Sequence, residues 1–497
     1  VKQDHQQAEW TGTASSISTR REFIKAAGAA SASLVGVPFT IHASEVKSAE
    51  KPKLNVLLML ADDQRSDTIA ALGNDHIQTP NLDRLVKTGF AFTGARCMGA
   101  QNAAVCVPAR AMLHTGRSLF AVPENMGRFT TLGQALQNAG YQTFAAGKWH
   151  NGTPAFVRSF SSGGNIFFGG MHEDQYKMPV HDFDPAGRYD ARSARVGDKF
   201  SSELFADAAV DFLKRQTASP DRKPFFCYLA FTSPHDPRTA PPPYSTMYDP
   251  EKMPLPGNWL PQHPFDNGEL KVRDEKLAPF PRTKADTRKQ LCDYYGMISS
   301  QDAQVGRVIA ALEQSGQLAN TVIVYSSDHG LSIGSHGLFG KQSVYEEAQR
   351  IPLFFSGPGV PSGKTSPMPV FGFDIFPTLC DLLDVPAPAD VQGKSLKGIV
   401  DGSAEKVRDA VFGAYIHREK DRPAATQHAV HDGHWKYIRY DVAGNTTMQL
   451  FDLANDPHET RDLSQDAEAT RQLPRLQELL ARMQLEYGEP REVTGQR

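Results

Sequence analysis

The sequence predicts an α/β fold: a large, mostly parallel or mixed sheet sandwiched by helices, then a smaller C-terminal antiparallel subdomain with a terminal helix. Three features point there. Apolar runs of strand length recur through residues 51–403, helical patterns lie between them, and after about Ala404 short strands with turn signals take over. Strands that are apolar throughout, rather than alternating, are covered on both faces, as in helix-wrapped parallel sheets. With 497 residues and 40% hydrophobic composition, the chain can build one large domain with a smaller one attached.

The elements follow in order. Residues 1–43 read as a targeting segment: a polar entry, "STRREFIK" with adjacent Arg20 and Arg21, then a weakly apolar Ala/Gly/Ser-rich run. This resembles a bacterial twin-arginine export signal, with cleavage after Ala43, and implies an exported periplasmic or extracellular protein. The run is too rich in Ala and Ser for a membrane span, so no stable span is expected once the signal is removed.

"LNVLLML" (Leu54 to Leu60), "YQTFAA" (Tyr141 to Ala146), "PFFCYLAF" (Pro224 to Phe231), "TVIVYSS" (Thr321 to Ser327) and "IPLFFSG" (Ile351 to Gly357) read as buried strands. "TPNLDRLVKTG" opens a helix with a Thr cap and a Pro at the first helical position, and a long helical pattern runs from Leu291 to Gly316. Between Pro234 and Pro281 lie twelve prolines and several aromatics, an irregular insertion suited to lining a cleft. Residues 404–497 read as a small antiparallel sheet plus the amphipathic "EATRQLPRLQELLARMQLEYG".

A net charge of -3 offers no footprint for nucleic acid. The five cysteines show no CxxC and no metal-type spacing, so neither a disulfide framework nor a cysteine-zinc site is indicated.

Chemistry-bearing residues stand directly after the strands. "ADDQR" supplies Asp62 and Asp63, "GKWHNG" Lys148 and His150, "TSPHDPR" His235, and "SDHG" Asp328 and His329. Ligand crevices in open α/β sheets lie outside the carboxyl ends of the strands, so four segments reach one rim. Carboxylates at three positions with a histidine suit a hard divalent ion such as calcium or magnesium. Lysines and further histidines beside it make an anion site, fit for a sulfate or phosphate ester. A histidine near the leaving oxygen can supply its proton. The nucleophile candidate is in "CVPARAMLHTGR" (Cys106 to Arg117). Pro108 suits the first turn of a helix, placing Cys106 where backbone N–H groups favour an anion, with Arg110 close by.

Together these segments resemble the formylglycine-dependent (type I) sulfatases of the alkaline-phosphatase superfamily. "CVPARAMLHTGR" is similar to the family's C-x-P-x-R-x4-T-G-R signature, and the other segments follow in family order. "LFDLANDPHETRDLS" is similar to its C-terminal Leu-x-Asp-Leu-x-x-Asp-Pro segment. The resemblance spans about Lys53 to Glu459 and implies an alkaline-phosphatase-like fold. It implies that a maturation enzyme oxidises Cys106 to formylglycine, whose hydrate attacks sulfur and later expels sulfate by collapsing to the aldehyde. It also implies calcium held by Asp62, Asp63, the residue at Cys106, Asp328 and His329. Arg110 and Lys148 would hold the modified residue, His150 would deprotonate the hydrate, and His235 and Lys341 would grip sulfate and assist the leaving group. Two positions depart from the family: Ala109 where Ser is usual, and His329 where the last metal ligand is often Asn.

For substrate, the export signal and "NIFFGGMHED" lean toward sulfated saccharides, as in bacterial carbohydrate sulfatases. Tyr244, Trp259 and Phe265 are candidates for stacking on sugar, and Asn151, His172, Arg238 and His336 for polar sugar contacts. An arylsulfatase or a phosphonate or phosphate monoester hydrolase is the nearest alternative. A non-catalytic binder of sulfated glycans with an unconverted Cys106 is the alternative from another class.

Overall fold

The structure, a computed structural model, describes residues 52–218, 223–417 and 424–490. The Arg20–Arg21 motif and the expected cleavage after Ala43 lie outside them.

The central sheet has eight strands. They are β1 (Asn55–Ala61), β2 (Gly89–Phe92), β3 (Gln142–Lys148), β4 (Ser162–Phe167), β5 (Phe225–Ala230), β6 (Thr321–Ser327), β7 (Leu353–Ser356) and β8 (Lys364–Ser366). Their order is β8-β2-β7-β6-β1-β5-β3-β4. From β6 to β4 every neighbour is parallel, whereas β7 runs antiparallel to both β6 and β2. The sheet is therefore mixed, and its parallel half is the continuous run that carries the site.

β1 shows why the strands read as unbroken apolar runs. Val56, Leu58 and Leu60 join the core on one face, and Leu57, Met59 and Ala61 that on the other, all fully buried. The first face is covered by α2 (Cys106–Thr115) through Met112 and Leu113. The second is covered by α1 (Pro80–Thr88), α3 (Ser201–Ala218) and α4 (Lys284–Gln314), through Leu82, Phe205, Phe212, Val305 and Ile309.

Two helix starts differ from their sequence signals. Thr79 precedes α1 with Pro80 at the first position, but its hydroxyl takes Ala70 N–H and meets Asp83, so it caps nothing. α4 begins seven residues before Leu291, where Thr283 accepts the Asp286 N–H at 3.0 Å; the turns between are polar and carry no apolar stripe.

A second sheet contains β9 (Val411–His417), β10 (Ala425–His431), β11 (Trp435–Val442) and β12 (Asn445–Asp452), each antiparallel to the next. α5 (Leu473–Glu486) buries Leu476, Leu479, Leu480 and Met483, the three-four spacing of one helix face. Gly99–Ala100 pairs with β9, so a segment just before α2 belongs to this sheet, and Pro52–Arg497 forms one unit.

Candidate active site

β6, β1, β5 and β3 are neighbours, and because they run parallel their carboxyl ends share one edge. Asp62 and Asp63 follow β1, Asp328 and His329 follow β6, His235 lies beyond β5, and β3 ends on Lys148 with His150 two residues on. Backbone bonds lock these turns together: Asp62 N–H donates to Ser233 O at 3.0 Å, and Asp63 N–H to Asp328 Oδ1 at 3.1 Å. Asp63 and His150 hold φ of 70° and 71°, a left-handed backbone that costs a non-glycine residue on the order of 1 kcal/mol. The Tyr294 hydroxyl, 2.6 Å from Asp63 O, braces the first of them.

Gly147 aims Lys148. Its φ is +87°, a Cβ there would stand 1.8 Å from Ala230 O, and the pairing of β3 with β4 shifts register at this point. α2 supplies the rest. Cys106 is its first residue, and Arg110, four positions on, lies on the same face.

Lys148 Nζ lies 3.5 Å from Cys106 Sγ and 2.5 Å from Asp62 Oδ2, and His150 Nδ1 lies 3.4 Å from the same sulfur. Arg110 Nε donates to Asp328 Oδ2 at 3.0 Å, and its Nη1 to Lys148 O at 2.9 Å. Lys341 Nζ spans both oxygens of Asp63 at 2.9 and 3.1 Å. His235 Nε2 is 3.9 Å from Asp63 Oδ2, while its Nδ1 lies 2.8 Å from Asp236 O, which leaves Nε2 facing the site.

Three buried cations, Arg110, Lys148 and Lys341, thus face three buried carboxylates, Asp62, Asp63 and Asp328. The balance sets the titration. Burial raises the Cys106 thiol, but Lys148 and Lys341, with hydrogen bonds from His150 and His329, outweigh it and hold the pKa well below the ordinary thiol value. Burial would also raise Asp63, yet His235, Lys341 and His329 keep it far below the usual carboxylate range. Burial would lower His329, whereas Asp328 and Asp63 raise it to about 9.

The donor set fits a hard cation. Ligand atoms of Asp62, Cys106, Asp328 and His329 lie within 4.8 Å of one another. Asp62 Oδ1 is buried and has no hydrogen-bond partner, a deficit of about 1–3 kcal/mol that a shared cation would relieve. His329 Nδ1 lies 3.0 Å from Gly330 O, which holds that nitrogen and turns Nε2 toward the other donors.

A cavity of about 270 Å³ opens over the site, with Cys106, His150, His235 and Lys341 on its floor and Ala103, Gly170, Met171 and Val272 along its wall. Ala104, Arg273, Asp274 and Gln342 complete the lining; none stands after a strand or within a spaced motif, so sequence reasoning passed over them. The Pro-rich insertion does reach this wall, through residues 272–274. A larger groove of about 620 Å³ beside α5 shares none of these residues.

The candidate sugar contacts scatter. Asn151 Nδ2 donates to Val107 O and Glu124 O at 2.8 and 2.7 Å, tying α2 to a loop. His172 Nδ1 meets Asp174 O at 2.9 Å, just past the cavity wall. Arg238 donates to Gln290 at 2.7 Å. His336 stacks on Tyr345 in a separate pocket that Trp259 also lines, and Phe265 packs on Tyr440. Tyr244 is half-buried in a short turn and does not line the cavity.

Comparison with known proteins gives the family and the fold. The "Sulfatase" family model matches residues 54–385, and a model for the C-terminal part of N-sulphoglucosamine sulphohydrolase matches residues 334–486. The chain is 27% identical to an arylsulfatase of Clostridium perfringens, covering 86% of this chain and 94% of that protein. It is 26% identical to an N-acetylglucosamine-6-O-sulfatase of Bacteroides thetaiotaomicron, covering 88% and 87%. Among solved structures, one described as a complex with its substrate D-glucosamine-2-N,6-O-disulfate superposes with a TM-score of 0.73 at 24% identity, over 88% of this chain and 98% of that one. The phosphonate monoester hydrolase of Agrobacterium radiobacter shares the fold at a TM-score of 0.68 and 23% identity, over 88% and 96%. With two thirds of its length matched by the family model, the chain belongs to the sulfatase family, the sulfuric ester hydrolases.

Proposed function

We propose that the protein hydrolyses sulfate esters of saccharides, with position 106 as the site of the nucleophile. The observation that carries this is the placement of Cys106: at the start of a buried helix, within 3.5 Å of both Lys148 Nζ and His150 Nδ1, in an open cavity that His235 and Lys341 also line. When present, calcium on Asp62, Asp63, Asp328 and His329 would neutralise ester oxygens, and formylglycine made from Cys106 by a maturation enzyme would supply the attacking oxygen.

The chain's own groups divide the remaining chemistry. Arg110 pairs with Asp62 and Asp328, and its positive charge offsets their repulsion of an anionic ester. Lys148 stabilises negative charge on the side chain at 106. His150 Nδ1 stands where it can take a proton from that side chain. His235 has its Nδ1–H tied to Asp236 O, so in its doubly protonated form the Nε2 proton faces the site and can pass to the leaving oxygen, and Lys341 balances the sulfate oxygens beside Asp63.

The saccharide preference rests on the relatives named for glucosamine sulfates and on a cavity whose apolar wall suits one face of a sugar ring over a charged floor. Export through the Arg20–Arg21 signal is part of the same proposal, since polymeric glycans are met outside the cell. Among the described residues no helix is long and apolar enough to cross a membrane. Turnover of matched sulfate and phosphate monoesters of N-acetylglucosamine and of a simple phenol tests the reading. The sugar sulfate should be cleaved fastest; faster phosphate cleavage favours the phosphatase-type alternative, and faster aryl cleavage removes the saccharide assignment.

A further inference from the structure

A second buried group of ligating side chains lies outside the cysteine cavity: His336, Glu347 and Glu459. His336 Nε2 is 3.5 Å from Glu347 Oε2 and 3.8 Å from Glu459 Oε2. All three residues are at least nine-tenths buried, and Glu347 Oε2 has no hydrogen-bond partner.

At good hydrogen-bond geometry the hydrogens of this group leave Glu347 Oε2 without a donor, its ion-pair partner His336 standing 3.5 Å away. Asn258 Nδ2 faces three acceptors, Glu347 Oε1 at 2.6 Å, His458 O at 2.7 Å and His336 Nε2 at 3.0 Å. An amide nitrogen carries two hydrogens, and the two shorter contacts use both. His336 Nε2 then receives no hydrogen from Asn258, and Glu347 Oε2 lies 3.5 Å from it. Protonating His336 Nε2 would set its N–H against the Asn258 amide hydrogens. Turning the Asn258 amide over would set its oxygen against Glu347 Oε1 and His458 O. A proton on Glu347 Oε2 would have to bridge 3.5 Å, too long for a good hydrogen bond.

The neighbouring charges do not remove the deficit. Glu346 is supplied by Arg96, by Lys436 at 3.0 Å and by Arg350 at 3.8 Å, and Glu459 Oε1 by Lys436 at 2.8 Å. Glu459 Oε2 accepts the Glu346 N–H at 2.7 Å with a lone pair to spare. Among the described residues, the one basic group within 4.0 Å of Glu347 is His336 itself.

We propose that His336 Nε2, Glu347 Oε2 and Glu459 Oε2 bind a divalent cation of the zinc class. Bonds of about 2.0–2.2 Å in a tetrahedron separate the ligand atoms by roughly 3.3–3.6 Å, near the two spacings above. One imidazole with two carboxylates suits a borderline cation better than calcium, which takes more oxygens. Asn258 on Glu347 and Lys436 on Glu459 orient the two carboxylates. A pocket of about 210 Å³ that Asn258, Trp259, His336 and Glu459 line adjoins the group and would give a cation its path and room for water. Bound there, it would tie the segment bearing Glu459 to the loop before β7, independently of the chemistry at Cys106.

The test uses the full chain saturated with calcium, dialysed against micromolar zinc chloride and analysed for metal, with anomalous diffraction at the zinc edge. One zinc per chain is expected, with its peak between His336, Glu347 and Glu459. His336→Ala and Glu347→Gln should each lose that zinc and keep their calcium. Absence of zinc under excess calcium, a peak only near Cys106, or unchanged zinc in both variants would overturn the site. The wild-type peak answers the question even if a variant fails to fold.

Discussion

Gly170 lies against the His150 imidazole: a Cβ built on it would stand 2.5 Å from Nε2. Gly170→Ala should therefore push that ring off its 3.4 Å contact with the side chain at 106. Loss of a positioned base costs about 10²–10⁴-fold, so a partly displaced one should cost kcat at least about 10-fold. In a His150→Ala background the same change should cost nothing further. Unchanged kcat, or losses that add, would refute the positioning role. At this scale the sequence was most informative where residue type and place coincide, as with Asp62, Asp328 and Cys106. It was silent on Gly170 and Arg273, because a missing Cβ or a charge on an irregular loop carries no periodic signal. It was also silent on the orphaned Asp62 Oδ1, which only the folded arrangement reveals.

At the level of elements, the bulge at Gly147 connects sheet geometry to the site. Gly147→Ala meets Ala230 O at 1.8 Å and a φ of +87°, so either β3 or β5 must move. A loss of at least about 2 kcal/mol is expected from urea unfolding, with weakened turnover because Lys148 is re-aimed. A change in stability within about 0.5 kcal/mol would mean the backbone absorbs the methyl and the bulge is not needed. β1, β5 and β6 were legible because both faces are buried and nearly every residue is apolar. β4, "SGGNIF", was not, since its glycines leave no hydrophobic run, although it pairs with β3. The antiparallel direction of β7 was equally hidden, because a buried strand reads the same both ways. The end of "CVPARAMLHTGR" serves the structure rather than the chemistry. Gly116 closes α2 at φ +64°, and Arg117 lies 4.0 Å over the Phe129 ring.

Across the whole molecule, buried neutral histidines set the acid limit. Burial, with Arg110 nearby, pushes His114 down to about 3; burial and Arg96 push His431 down to about 3; burial brings His263 to about 4. Unfolded imidazoles titrate near 6.5, so below that pH the unfolded chain binds more protons than the folded one. This stability is fully present above pH 6.5 and is lost as pH falls toward 4 and 3. His329, raised to about 9, contributes in the opposite sense, lost as pH rises from 6.5 toward 9 in the calcium-free chain. The net loss between pH 6.5 and 5.5 should be about 2–3 kcal/mol, read as a falling urea midpoint. A flat midpoint over that interval would contradict the neutral burial of these rings. The α/β class and the second, antiparallel sheet were visible in the switch of pattern near Ala404. The pairing of Gly99–Ala100 with β9 was not, because a two-residue strand leaves no trace in the sequence. In the proposed reaction, catalysis depends most on what position 106 becomes. Mass spectrometry of the Cys106 peptide from enzyme with demonstrated sulfatase turnover should find an aldehyde or its hydrate in place of the thiol. An intact thiol in fully active enzyme would contradict it.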